Sequence, residues 1–474
     1  MPVQTPNSSY EAMSETWKKC RDVAAGSQAV KAAGVKYLPA IGDHQNKPQK
    51  YNDYKARALF FNAMNRTICG LTGAILQKAP EVKFPERLKD ILNDLTLTTM
   101  PFEALALKAV SEVFEVGRLG ILVDMADGEA PDKRPYAALY MAEQIVSWKT
   151  ERIGGDEVLT RVVLSEAIEM DDPKDRFVTK QSTQWRVLEL LDRVYTQTIW
   201  TKPKDSKEYV AGEATTILRR GKPLDFIPFV FIGSTGVSPE VSRPPLEDLA
   251  DVNLSHYRGY ADLKHGLHYT ALATPVVIGN RADKDGGPLA IGSGVAWQLE
   301  LHGDAKMLEF TGAGLEAIRE DLQDMKHMMA TLGARILEEQ PSHVETAMAV
   351  GLRHAGEHAT LRTIANAVEL GLTFVLQWMA WWMGTEKTPA DTGVLVELNK
   401  DFFATRMTSQ DLQALVQGLQ AEVISWPTFY EAIVRGELAR PGVTAEEERA
   451  AIAAGLPGSI RFTREVPTEG GGEE

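Results

Sequence analysis

His354, Ala355, Gly356, Glu357 and His358 spell H-x-x-E-H. On a helix that spacing sets two imidazoles on one face with a carboxylate beside them, which suits a zinc ion and the general base of a peptidase. Three fixed letters in five recur by chance, Gly356 lies inside the motif, and no later glutamate stands out as a third ligand. A helix surface is the better reading, and a zinc-dependent peptidase using His354, Glu357 and His358 stands as the enzymatic alternative. Gly312-Ala313-Gly314-Leu315-Glu316-Ala317 follows a candidate strand and opens a helix, as a dinucleotide fingerprint does. That helix leads past Pro341 into another helix rather than a second parallel strand, so a strand-to-helix turn is expected. His265 and His268 are three apart on a helix with no third ligand at a telling spacing. Neither G-x-x-x-x-G-K-[ST] nor G-x-S-x-G occurs. The expectation is a protein with no catalytic residue, no metal site and no cofactor.

These side chains sit on a chain of 474 residues, 44% hydrophobic and 24% charged, long enough for two or more substructures and ordinary enough in composition to fold. Only Cys20 and Cys69 are present, which excludes a disulfide framework and fits a reducing compartment. The first residues lack the basic patch and apolar run of a secretory signal, so no export is expected. The most apolar stretch, 368–383, is interrupted by Glu369 and Gln377 and reads as a buried helix. A net charge of −14 disfavours a broad grip on DNA phosphates, which needs clustered Lys and Arg. An acidic or neutral wall is what a conduit for sliding DNA requires.

The pattern predicts helices over 10–33, 52–77 and 102–116, with Tyr54, Ala58, Phe61, Asn65 and Ile68 recurring at helical steps. An apolar strand follows at 120–124. Short runs rich in Val, Ile, Tyr and Trp over 137–232 predict an antiparallel sheet, with Pro228 marking an edge strand or bulge. Pro244 and Pro245 open a helix to about 271. Strand candidates at 275–279, 296–301 and 306–310 precede a helix over 314–338. Its Leu315, Ile318, Leu322, Met325, Met329, Leu332 and Ile336 form a heptad seam that wants a helical neighbour. A longer helix over 350–384, a strand over 394–398 and helices over 409–422, 426–435 and 444–454 complete a mixed class. The tail from Glu465 is disordered by composition.

Residues 17–39, WKKCRDVAAGSQAVKAAGVKYLP, carry the most specific pattern. It continues in YKARALFFNAMNRTICGLTGAILQKAP at 54–80, FIPFVFIG at 226–233 and PLEDLADVNLSHY at 245–257. These segments resemble the portal proteins of tailed bacteriophages, the head-to-tail connector family, and the similarity covers most of the chain, thinning after about Leu398. The resemblance implies an α+β, mainly helical, portal-type fold with wing, stem, clip and crown, assembled as a ring with a central channel. In it, 1–244 would be wing, 245–271 the first stem helix, 272–312 a short clip and 313–338 the second stem helix. The remainder would be a tunnel loop at 339–349, the long wing helix and wing strand at 350–405, a helical crown at 406–462 and a disordered tail at 463–474.

The tunnel-loop residues Glu339, Gln340, Pro341, Ser342 and His343 are polar and carry no cation unless His343 is protonated, so they could touch a moving duplex without holding it. The seam would pack on the stems of neighbouring subunits, and Met325→Glu would shift rings toward monomers while leaving subunits folded. The implied partners are copies of the chain in a homo-dodecameric ring and double-stranded DNA passing without sequence specificity. A large terminase motor, a head-to-tail adaptor and the major capsid and scaffold proteins complete the set, with no membrane and no cofactor. The implied location is the portal vertex of the virion, with the host cytoplasm during assembly. A third class, another structural assembly or adaptor protein, would rest on the heptad seam alone.

Overall fold

The structure is a computed structural model that describes residues 2–42, 47–96, 98–125, 134–172, 175–203, 208–270, 274–278, 302–308, 313–333, 347–400, 402, 409–421, 423–436, 438–439 and 443–454. It is mixed α and β, and the chain divides into two compact units, Met1–Lys400 and Asp401–Glu474.

The first unit opens with helices. In α1 (Ser8–Ala25) the Asn7 side chain caps the first turn by accepting from the Ser9 N–H. Gly26, at φ 93°, stops it before α2 (Ser27–Ala32), so the one helix expected over 10–33 is two. The helix expected over 52–77 is also two, α3 (Pro48–Arg57) and α4 (Ala63–Ile75). Ala58 turns to extended backbone, and the Asn62 side chain accepts from Asn65 N at 3.0 Å to start α4. Tyr54, Ala58 and Ile68 are buried as the periodicity requires, whereas Phe61 and Asn65 face outward. After β1 (Glu81–Lys83) comes α5 (Phe102–Val116), with the expected bounds. Arg21 on α1 ties to α5 by an ion pair with Glu112 and to Glu143 at 2.8 Å.

The sheet region contains β2 (Arg118–Met125), β3 (Pro135–Met141), β4 (Ile145–Ile153), β5 (Asp156–Asp172), β6 (Asp175–Leu191) and β7 (Val194–Thr201). Four two-residue strands, β8 (Val210–Ala211), β9 (Thr215–Thr216), β10 (Leu218–Arg219) and β11 (Lys222–Pro223), precede β12 (Phe229–Gly233). They make a three-stranded sheet in the order β12-β2-β3, a larger one in the order β4-β5-β6-β7-β8, with β9 on β7, and a separate pair, β10-β11. All their pairings are antiparallel. Pro228 stands just before β12, an edge strand as expected, and its carbonyl accepts from Val123 N at 2.9 Å. Arg186 on β6 joins the sheets: it donates to Glu166 on β5 at 2.7 Å and lies 3.6 Å from Asp124 on β2. The hydrogen bonds and charge of Arg186 outweigh burial and hold the Glu166 carboxyl below its usual range.

Next come α6 (Glu247–Thr270), β13 (Thr274–Ile278), β14 (Asp304–Leu308), α7 (Ala313–Leu332), α8 (Ala347–Met383) and β15 (Leu395–Glu397). Strands β13 and β14 pair antiparallel, with Thr274 opposite Leu308; the strand expected over 296–301 lies outside the described residues. By length and composition, Ala359–Met383 within α8 could cross a membrane, yet over half of it is buried within the fold. Its residues Ala365, Val368, Leu372, Val375, Leu376 and Met379 are fully enclosed, and α8 packs against β12, β2, β3 and α5. That is the buried helix the sequence predicts. Its end is closed by Arg219, which donates to Trp381 O in the last turn at 2.6 Å and to Gly384 O at 3.1 Å and Glu386 O at 2.9 Å just beyond it, and stacks on the Trp381 ring at 4.0 Å.

The second unit holds α9 (Ser409–Gln420), α10 (Trp426–Arg435) and α11 (Ala445–Ala453). Thr444 and Glu447 form a capping box at the start of α11. Trp426 Nε1 donates to Ala445 O at 2.8 Å and Tyr430 donates to Val443 O at 3.0 Å, binding α10 to the α11 end. The tail expected to be disordered lies outside the described residues.

Candidate functional site

The residues singled out by sequence cluster on α6, α7 and the start of α8. The approach to α6 is fixed by Arg118 on β2, buried between the rings of Trp148 (4.2 Å) and Phe231 (4.6 Å). Its Nη1 donates to Pro239 O at 2.9 Å and Glu240 O at 3.1 Å, which pins the segment leading to Pro244 and Pro245. No carboxylate pairs with this guanidinium among the described residues, and burial pushes its pKa down to about 9.

Helix α6 is then held along its length by the N-terminal helices. Lys19 on α1 donates to Glu247 at 3.2 Å and to Asp251 at 2.7 Å. Asn253, fully buried, donates to Phe61 O at 2.7 Å and accepts from Ala63 N at 3.1 Å and Met64 N at 3.3 Å. It thereby satisfies backbone groups at the break between α3 and α4 that would otherwise be stranded. Arg258 donates to Tyr37 O at 2.8 Å, and Tyr54 donates to Asp262 at 2.6 Å. His256 is buried against Phe61 and stacked on Tyr260, and neither ring nitrogen meets a hydrogen-bond partner among the described residues. Burial, reinforced by the nearby Lys326 ammonium, holds its imidazole below the usual histidine range.

Helix α7 runs back along α6. A Cβ added at Gly266 would meet Leu315 Cδ2 at 2.6 Å, one at Gly259 would meet Leu322 at 3.3 Å and Met325 at 3.9 Å, and one at Gly333 would meet Leu249 at 3.2 Å. The two helices are therefore antiparallel neighbours, touching at Gly259 and Gly266, where α6 has no side chain, and at Gly333 beyond the end of α7. The heptad seam points into this contact. Leu322 and Met329 are 5% and 3% exposed, while Leu315, Ile318 and Met325 are half-buried. Part of the apolar surface stays uncovered: Leu332 is 43% and Met328, next to the seam, 48% exposed. Ile336 lies outside the described residues. On the side away from α6, Glu316, Glu320 and Asp324 stand four apart and exposed, with Arg319 paired to Glu316 at 3.2 Å, so acids outnumber cations along that face of α7.

The side chains of His354, Glu357 and His358 and the tunnel-loop residues Glu339, Gln340, Pro341, Ser342 and His343 lie outside the described residues. No group of three or more His, Cys, Asp and Glu that could hold a metal exists among the described residues. His268 is exposed, and His265 stands edge-on to Tyr54 at 5.2 Å. Before Gly312 the strand is β14, whose partner β13 is antiparallel, so among the described residues no parallel βαβ unit of a dinucleotide site stands there. Both cysteines are free, Cys20 buried and Cys69 exposed. Sequence reasoning missed Asn253, His256 and the glycine contacts. Gly259 and Gly266, seven apart in α6, were a usable signal, since they repeat at the period of the seam that faces them.

A family model described as a domain of unknown function, DUF4055, matches residues 245–383, the span from the start of α6 to the end of α8. No curated protein matches the chain. Among solved structures the chain is similar to a component of the "Neck of empty GTA particle computed with C6 symmetry", at 12% identity and TM-score 0.39, covering 82% of this chain and 91% of that one. It is also similar to a component of the "Virion of native gene transfer agent (GTA) particle", at 13% identity and TM-score 0.35, covering 80% and 90%. Identity and superposition at this level leave the function to be argued from the chain's own residues.

Proposed function

We propose that the chain is the structural subunit of a portal ring, which forms the DNA channel at one capsid vertex for genome packaging and ejection. The observation that carries this reading is the α6–α7 hairpin, apolar where its helices meet and acidic along Glu316, Glu320 and Asp324 on the far side of α7. A wall past which a duplex slides must offer no array of cations, because each phosphate neutralised adds affinity and holds the duplex. Support also comes from the order of elements, which follows the resemblance carried by residues 17–39, 54–80, 226–233 and 245–257. Helices and sheets come first, then a helix, a short strand pair, a second helix, a long buried helix and a small helical unit. In this proposal α6 and α7 are the stem, β13 and β14 belong to the clip, α8 is the long wing helix and the second unit is the crown.

The proposed ring is homo-dodecameric. It resides in the virion and docks a terminase motor, a tail adaptor and capsid and scaffold proteins. Negative-stain electron microscopy of the purified protein, with two-dimensional averaging, tests it: end-on views should show a central hole and roughly twelve-fold symmetry. Monomers alone, at high concentration and with scaffold protein added, would count against it. In that case, about one zinc per chain in the pure protein would favour the peptidase.

A further inference from the structure

Helix α6 carries a seam of its own. Leu249, Val252, His256, Gly259, Leu263 and Gly266 recur at alternating steps of three and four, the period of the row they meet on α7. Close contacts at three glycines fix how the two rows face each other: Gly266 lies level with Leu315, Gly259 with Leu322 and Leu249 with Gly333. One turn back from Gly259 along α6 and one turn on from Leu322 along α7, His256 comes level with Met325. An ionisable ring therefore stands in an otherwise apolar row.

The two halves of the seam differ. Toward Leu315 the backbones approach at Gly259 and Gly266, Leu263 is buried, and the row holds no group that can change charge. Toward Gly333 it holds the buried His256, with Phe61 and Tyr260 against its ring and no acceptor for an added proton among the described residues. The charge that bears on this ring is the Lys326 ammonium of α7. His327, next along α7, and Arg66, the one charged residue of α4, are both exposed. The nearest acids along α6, Asp251 and Asp262, are engaged by Lys19 of α1 and Tyr54 of α3.

An imidazolium here has to reach water, and the parts around it are not equally free to let it. Helix α6 is tied down by Lys19, Tyr54 and Arg258, and the chain at Phe61 by Asn253. Among the described residues, no side-chain hydrogen bond or ion pair ties 326–333 of α7 to α6 or α4; Met329 is buried and Gly333 abuts Leu249 and Thr67. We propose that the α6–α7 hairpin is an acid-sensitive latch, in which protonation of His256 releases residues 326–333 of α7 while the half of the seam around Gly259 and Gly266 stays closed. The latch works within one chain and goes beyond the portal reading without depending on it.

The sign follows from the burial of the ring, with a smaller contribution from Lys326, which is exposed and therefore screened. Both hold the closed-state pKa below the usual 6.5, so the open state takes the proton more readily. Closure is at full strength above the open-state pKa and weakens as pH falls through the closed-state one.

Amide hydrogen exchange of the full chain, read by mass spectrometry at neutral pH and at about pH 5 with each rate divided by its intrinsic value, tests the latch. Peptides within 326–333 should lose protection at the lower pH by at least about threefold, while those from 313–322 and 359–383 keep theirs. That loss should vanish in His256→Phe and in His256→Gln, and shrink in Lys326→Met. Equal protection of 326–333 at both pH values would overturn the proposal, as would the same loss in either folded His256 variant. A loss spread evenly over the chain would also overturn it, since that reports global acid unfolding.

Discussion

His256 illustrates how a single side chain records its surroundings. Its ring lies between Phe61 and Tyr260 with no partner for either nitrogen among the described residues, and Lys326 lies close enough to add repulsion. Its folded-state pKa is therefore lowered from 6.5, so below that pH the unfolded chain binds a proton that the native state resists. The stability from this site is full above the unfolded pKa and is lost as pH falls through the folded one. His256→Phe should lose less stability than the natural protein between neutral and mildly acidic pH, measured by urea midpoints at each pH. Equal losses would mean the imidazole finds a partner when it is charged. Nothing local in the sequence marks His256 or Asn253, since each is explained by the residues of α4 or α7 that come to face it.

Among elements, α5, α6 and α8 were legible because their apolar spacing, their flanking prolines and their length agree. The pieces α1–α2 and α3–α4 were read as single helices because periodicity runs through both breaks. What divides α3 from α4 is long-range: Asn253 supplies hydrogen bonds to the chain where it leaves the helix. The end of α8 is likewise decided at a distance, by Arg219 from β10 donating to Trp381 O in the last turn and to Gly384 O and Glu386 O just past it. Arg219→Lys keeps the charge but not the planar fork, and it should cost about 1–3 kcal/mol in unfolding free energy. Arg219→Ala should cost no less, and a lysine variant as stable as the natural protein would show that charge alone closes the helix.

At the scale of the molecule, the structure changes which residue best probes assembly. Met325 reaches Gly259 of its own α6, so Met325→Glu would loosen the hairpin as well as any contact between subunits. Met328, exposed beside the seam, is the cleaner probe. If the proposed ring forms, Met328→Glu should leave the thermal unfolding midpoint nearly unchanged while shifting the mass distribution from rings toward monomers. Intact rings from this variant would remove this part of α7 from the subunit interface. The same substitution adds an acid close to Asp321 and Asp324, so its effect should be compared at low and high salt to separate lost apolar contact from repulsion.

The sequence by itself determined the mixed class, the run of helices and strands, the burial of α8 and the presence of a seam seeking a helical neighbour. These follow from local periodicity and turn chemistry, which the backbone obeys wherever the chain ends up. Only the tertiary structure decided that much of the seam is met by α6 of the same chain, because a heptad states that a partner is needed and not which one. It also decided that β5 and β6 run on past their sheet as an arm. Strand length is written in the residues, but whether a third strand lies alongside depends on where β4 and β7 stop.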